Sequence, residues 1–117
     1  MRLLLIDDHA GFCASAQRAL EADGHDVVAV ASSGASGLQS ARELDLDAVL
    51  IDVGLPDISG LEVARQLHEQ LPDLPVVLIS THDAGDLADL ARRNGARGFL
   101  TKADFSGEAL ARLVPVG

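Results

Sequence analysis

Aromatic residues are almost missing from this sequence: three Phe, no Trp and no Tyr among 117 positions. The core must therefore be aliphatic, and with 48% apolar residues there is enough material for one domain. Cysteine is nearly absent as well. Cys13 stands alone, which excludes a disulfide framework and metal spacing such as C-x-x-C, and fits a reducing compartment. Basic residues are scarce, nine Lys and Arg against eighteen Asp and Glu, for a net charge of −9. Such a surface argues against direct nucleic-acid binding by this domain, since phosphate backbones are held by clustered Lys and Arg. Most of the carboxylates are expected to be ordinary solvated groups. Long apolar runs are lacking too. The run Leu3-Leu4-Leu5-Ile6 meets Asp7-Asp8 at once, whereas a secretory segment needs about 7–15 apolar residues and a membrane span about 20. The expectation is a soluble cytoplasmic protein that makes no membrane contact.

What is present is a repeating pattern. Five short apolar runs recur, Leu3–Ile6, Val27–Ala31, Ala48–Ile51, Val76–Ile79 and Gly98–Leu100. The clearest are continuous and not alternating, as strands covered on both faces of a parallel sheet are. Between them lie segments of helical spacing: Phe12, Ala16, Ala19 and Leu20; Ala35, Leu38 and Ala41; Leu61, Ala64, Leu67 and Leu71; Leu87, Leu90 and Ala91; and a short last one, Ala109, Leu110 and Leu113. Gly24 and Gly95 stand where left-handed C-terminal caps are wanted, with Arg92 and Arg93 in the turn before Gly95. Ser59 or Asp57 caps the third helix, Pro72 ends it, and Pro75 enters a strand. Strand and helix thus alternate five times, which predicts a doubly wound α/β fold with a five-stranded parallel sheet.

The chemistry gathers at the strand ends. Asp7-Asp8 follow the first strand, Asp52 the third, Ser80-Thr81 the fourth and Thr101-Lys102 the fifth, while the second ends in Ala31-Ser32-Ser33. In open α/β sheets ligands bind outside the carboxyl ends of the strands. The order 2-1-3-4-5, common among such sheets, sets strands 1, 3, 4 and 5 side by side and leaves the bland strand 2 at an edge. Two carboxylates about 5 Å apart repel by roughly 3 kcal/mol at an effective dielectric near 20. A marginally stable domain needs compensation for three of them. Either one is protonated or the group holds a hard cation; Mg²⁺ takes carboxylate oxygens beside a phosphate. A carboxylate flanked by Mg²⁺, a hydroxyl and an ammonium is suited to phosphoryl transfer.

Four segments together resemble the motifs of response-regulator receiver domains of two-component signalling: Asp7-Asp8; Asp52-Val53-Gly54-Leu55-Pro56-Asp57-Ile58-Ser59-Gly60; Leu78-Ile79-Ser80-Thr81; and Gly95-Ala96-Arg97-Gly98-Phe99-Leu100-Thr101-Lys102. The resemblance runs from about residue 2 to residue 113. It implies a flavodoxin-like fold and one receiver domain over residues 1–117 with no output domain, as a single-domain regulator or as a fragment. It implies Asp52 as phosphoacceptor. Mg²⁺ would lie on Asp7, Asp8, Asp52 and the Gly54 carbonyl. Ser80 and Lys102 would bind the phosphoryl group, with Ser80 and Phe99 moving in the switch. The donor would be a sensor histidine kinase or a histidine phosphotransfer protein, and a homodimer through the fourth helix, fifth strand and fifth helix is expected. The domain would be a switch that phosphorylates and dephosphorylates only itself, not an enzyme toward other substrates.

Blander readings compete at several positions. One of Asp7 and Asp8 can cap the first helix, Phe99 can be plain core, and His9, His25 and His68 read as surface or capping residues. His82, two residues after Ser80, is a solvated loop imidazole or a residue at the entrance for attacking water. Gly54 widens that entrance and Thr81 narrows it, so no phosphorylated lifetime is predicted. Ala103 stands where many receivers have Pro, which puts a cis peptide after Lys102 in doubt. Asp7-Asp8-His9 and Lys102-Ala103 resemble receivers joined to helix-turn-helix output domains. An aspartyl phosphatase is disfavoured because Gly54 replaces its second Asp. A flavin carrier is disfavoured because acids occupy the loop that would hold its phosphate. A pseudo-receiver acting only through protein contacts is the alternative, and would predict a missing acceptor or lysine.

Overall fold

The computed structural model describes residues 1–82 and 85–115. Five strands alternate with five helices: β1 (Arg2–Ile6), α1 (Ala10–Ala22), β2 (Asp26–Ala31), α2 (Gly34–Glu43), β3 (Ala48–Asp52), α3 (Gly60–Gln70), β4 (Val76–Ser80), α4 (Leu87–Arg93), β5 (Gly98–Thr101) and α5 (Gly107–Leu113). All strands run parallel in the order β2-β1-β3-β4-β5. The doubly wound sheet expected from the sequence is therefore the fold.

The continuous apolar runs have a direct cause. Successive side chains of a strand point to opposite faces, and both faces are covered. Leu4, Ile6, Val49, Ile51, Val76 and Leu78 pack with α2, α3 and α4 on one side. Leu3, Leu5, Leu50, Val77 and Ile79 pack with α1 and α5 on the other. Every residue of β3 and β4 is buried, whereas the edge strand β2 exposes Val30.

Two helix stripes are corrected. In α1 the buried residues are Cys13, Ala16 and Leu20, and Ala19 is exposed. In α2 Ala35 is exposed, and Gly34 and Gly37 join Leu38 and Ala41 against the sheet. A Cβ at Gly37 would run into the Ile6 side chain, so the absence of a side chain lets α2 approach. Glycine carries no hydrophobic signal, which hid the α2 face, and in α1 the sheet beneath sets which apolar residues turn inward.

The punctuation holds with one reassignment. Gly24 and Gly95 both have φ +86°, the left-handed conformation that closes α1 and α4. Ser59 caps α3, its hydroxyl accepting from the Leu61 N–H. Asp57 does something else. Its carboxylate accepts from the Gly34 N–H at 2.7 Å and the Ala35 N–H at 2.9 Å, so the β3–α3 loop caps α2. Gly60 lets α3 start directly against the end of β3, since a Cβ there would collide with the Asp52 carbonyl. No peptide bond among the described residues is cis, the Lys102–Ala103 bond included.

The hydrogen bonds from Ala35 and Gly34 hold the Asp57 carboxyl below its ordinary pKa of 3.8. A depressed folded pKa means stability that is fully present above about 3.8 and lost as pH falls through the lower folded value. Asp57→Ala is expected to lower the melting temperature at neutral pH, with the gap to the parent closing in acid below pH 3.8. Thermal melts across pH check it; a gap that persists unchanged into acid would mean the carboxylate is not what holds α2.

Candidate functional site

Parallel strands in this register end together. Asp52 closes β3 beside Ile79 of β4, and Ser80 closes β4 beside Thr101 of β5. The Lys102 N–H donates to the Ser80 carbonyl at 2.7 Å, which continues the ladder and brings the lysine to the same edge. Asp7 follows β1, its N–H donating to the Ala31 carbonyl. The sheet thus gathers Asp7, Asp8, Asp52, Ser80 and Lys102 at one mouth, as the sequence predicted for these residues.

Asp7 and Asp52 are 2% and 3% exposed, and Ser80 is buried beside them. Asp8 lies at the rim. Lys102, the one lysine in the chain, has its side chain only 9% exposed, and its Nζ is 2.8 Å from Asp7 Oδ2 and 3.8 Å from Asp52 Oδ2. A lysine so buried needs a partner. Asp7 Oδ2 is met by that ammonium as an ion pair, whereas Asp52 Oδ2 is buried and receives no hydrogen bond, the ammonium standing 3.8 Å away. Burial, and then the Asp7 charge, push the Asp52 carboxyl above its usual range; Lys102, the Gly54 N–H and His9 act in the other direction.

Three carboxylates against one ammonium leave two negative charges uncompensated, the charge of one divalent cation. The donors are hard oxygens, and one of them, Asp52 Oδ2, is buried without a hydrogen bond, so the residues present fit Mg²⁺. Asp7 does not reach into the first turn of α1: its Oδ1 accepts from the N–H of His9, the N-cap residue, at 2.9 Å. Gly54 donates its N–H to Asp52 Oδ1 at 3.4 Å, and a Cβ on it would meet nothing within 4 Å, so the entrance is open there. Ser80 Oγ accepts from the His82 N–H. Phe99 is half-buried against the α3–α4 side of the core.

Three residues escaped the sequence reading. His9 Nδ1 lies 2.9 Å from Asp7 Oδ1, 3.3 Å from Asp8 Oδ1 and 3.5 Å from Asp52 Oδ2, in the middle of the group. Phe12 turns its ring under Lys102, with Nζ 4.7 Å from the centroid, and Phe105 supports it edge-on at 5.6 Å. Adjacency to the Asp pair was the available signal for His9. Phe105 lies 93 positions from Phe12, and nothing local links them.

Fold and site together define a class: a small open α/β domain whose strand-end mouth presents a buried carboxylate, a cation-ready acidic group and one ammonium. The family model of the response regulator receiver domain matches residues 3–114, and the chain belongs to that family. It is 38% identical over 115 residues to the response regulator GacA of Pseudomonas viridiflava, covering 97% of this chain and 52% of that protein. Among solved structures it resembles a LuxR-family two-component response regulator from Aurantimonas sp. SI85-9A1, with 28% identity, a TM-score of 0.87, and 96% and 84% of the two chains covered. The beryllofluoride-activated NtrC4 receiver domain dimer is similar too, with 29% identity, a TM-score of 0.84, and 97% and 92% covered. The chain spans about half the length of the curated relatives it matches.

The buried and only partly compensated Asp52 charge sets a testable cost. Asp52→Asn keeps the oxygen that the Gly54 N–H reaches and removes the charge. In metal-free buffer it is expected to raise stability by about 1–3 kcal/mol, the scale of a buried group left without a partner. Because the folded carboxyl titrates above 3.8, the folded state holds the extra proton and parent stability falls as pH rises through that window. Denaturant unfolding at several pH values should show the gain shrinking in acid; an Asn variant less stable than the parent at neutral pH would refute it.

Proposed function

We propose that Asp52 is the phosphoacceptor of a two-component phosphorelay, taking a phosphoryl group from a phosphohistidine on a sensor histidine kinase or a histidine phosphotransfer protein. The observation that carries this reading is the meeting of Asp7, Asp8 and Asp52 with the chain's one lysine at the strand ends. An Asp52 oxygen attacks phosphorus, the P–N bond breaks, and the donor imidazole leaves. Hydrolysis of the acyl phosphate returns the carboxylate and inorganic phosphate, so the domain acts on itself as a switch. Asp7, Asp8, Asp52 and the Gly54 carbonyl would hold Mg²⁺, which would supply charge neutralisation for the phosphoryl oxygens.

Lys102 pairs with the phosphoryl group, and the Phe12 ring beneath it keeps the ammonium aimed into the mouth. Ser80 donates its hydroxyl to a phosphoryl oxygen, giving up its present bond from the His82 N–H. That displacement is relayed through β4 and β5 to Phe99, which leaves or fills its half-buried place against the core. Residues 1–117 act as one receiver unit, and the free thiol of Cys13 fits the cytoplasm, where kinases of this class present their phosphohistidine. Acceptor, acidic pair and lysine are all present, so the pseudo-receiver alternative has no support.

Incubation with acetyl phosphate and Mg²⁺ is expected to add the mass of one phosphoryl group, detected on the intact protein. The gain should be absent in Asp52→Asn and without Mg²⁺. No gain in the parent protein, with Mg²⁺ bound, would refute the acceptor role. Dimerisation through α4, β5 and α5 completes the proposal. Sedimentation is expected to show a monomer turning to dimer on beryllofluoride and Mg²⁺ addition, and a monomer under both conditions would remove it.

A further inference from the structure

Resting on the phosphoacceptor reading, the question is what His9 does in the middle of the acidic group. It is the N-cap residue of α1 yet makes no side-chain cap, so the helix does not account for its placement. Its Nδ1 is 2.9 Å from Asp7 Oδ1 and 3.1 Å from Lys102 Nζ. A neutral imidazole cannot serve both. With a proton on Nδ1 it donates to Asp7 but turns an N–H toward the ammonium. Without that proton it accepts from Lys102 but faces its lone pair at the carboxylate oxygens. The same lone pair is well placed for a metal.

Six-coordinate ions with bonds of 2.0–2.1 Å set neighbouring ligand atoms about 3.0 Å apart. His9 Nδ1 stands 2.9, 3.3 and 3.5 Å from oxygens of Asp7, Asp8 and Asp52. One ligand atom from each of the four residues falls within 4.8 Å of all the others. The buried Asp52 Oδ2, which receives no hydrogen bond, is one of the three oxygens facing the nitrogen. We infer that His9 Nδ1 is a fourth protein ligand of the cation and tilts this site toward divalent transition ions, of which Mn²⁺ is the weakest-binding first member, over Mg²⁺. Mg²⁺ is a hard ion served by oxygen, whereas imidazole binding strengthens along the transition series.

The test uses Mn²⁺ alone as probe on the whole chain. Pulsed electron paramagnetic resonance of Mn²⁺-loaded protein is expected to show one imidazole ¹⁴N coupling, absent in His9→Asn, which still binds Mn²⁺ through oxygen. Calorimetric titrations should give a ratio of Mn²⁺ to Mg²⁺ affinity that falls about tenfold in His9→Asn, the low end for losing a group at a metal centre. Bound Mn²⁺ without nitrogen coupling in the parent, or a coupling that survives His9→Asn, overturns the role of His9 and leaves the acidic site standing. Failure of both ions to bind overturns the acidic site as well.

Discussion

Asp7 and Asp52 carry negative charge into a space nearly closed to water, and Lys102 offsets only part of it. In bulk water this arrangement would cost little; at the end of an aliphatic sheet each missing partner counts. The acidic group therefore carries more negative charge than the one ammonium balances. On the proposed function, a divalent cation would answer the residual charge, and a phosphoryl group on Asp52 would bring new charge for the cation and the ammonium to share. The buried Asp52 Oδ2, which receives no hydrogen bond, is the feature that makes the mouth receptive to a cation.

The scaffold is arranged to keep that charge in place. β3 and β4 are buried at every position, so Asp52 and Ser80 are presented by segments with no freedom to slide. The loop after Asp52 is pinned at both ends. Gly60 brings α3 against the strand end, its N–H donating to the Val53 carbonyl, and Asp57 is fastened to the start of α2. Phe12 from α1 and Phe105 from the β5–α5 connection steady the lysine from below. Two of the three Phe in the chain thus attend one ammonium, a local use of the few aromatic residues available.

The division of labour across the sheet follows from topology. β1, β3, β4 and β5 are neighbours and each contributes at its carboxyl end; β2 lies at the edge and contributes nothing ionisable. α4 and β5 lie on the side of the sheet that Ser80 and Phe99 can reach through paired backbone. A change at the mouth thereby has a short path to an outer surface, which is what a conformational switch requires.

Much of this was legible in the residues alone. Continuous aliphatic runs specified the strands, most clearly the covered β1, β3 and β4, because both faces of a parallel sheet exclude water, and the polar residues that end those runs specified the mouth. Gly24 and Gly95 marked helix ends because few other residues adopt a positive φ. Other features depended on contacts between distant segments. Asp57 has the right chemistry to cap the helix that follows it, and only the packing of the β3–α3 loop on α2 directed it elsewhere. Cys13 displaced Ala19 from the core, and His9 entered the acidic group, because the rotation of α1 about its axis is set by the sheet beneath it. Local sequence carries periodicity and turn chemistry. The phase of a helix, and the company of a side chain across many positions, are decided only when the layers close on each other.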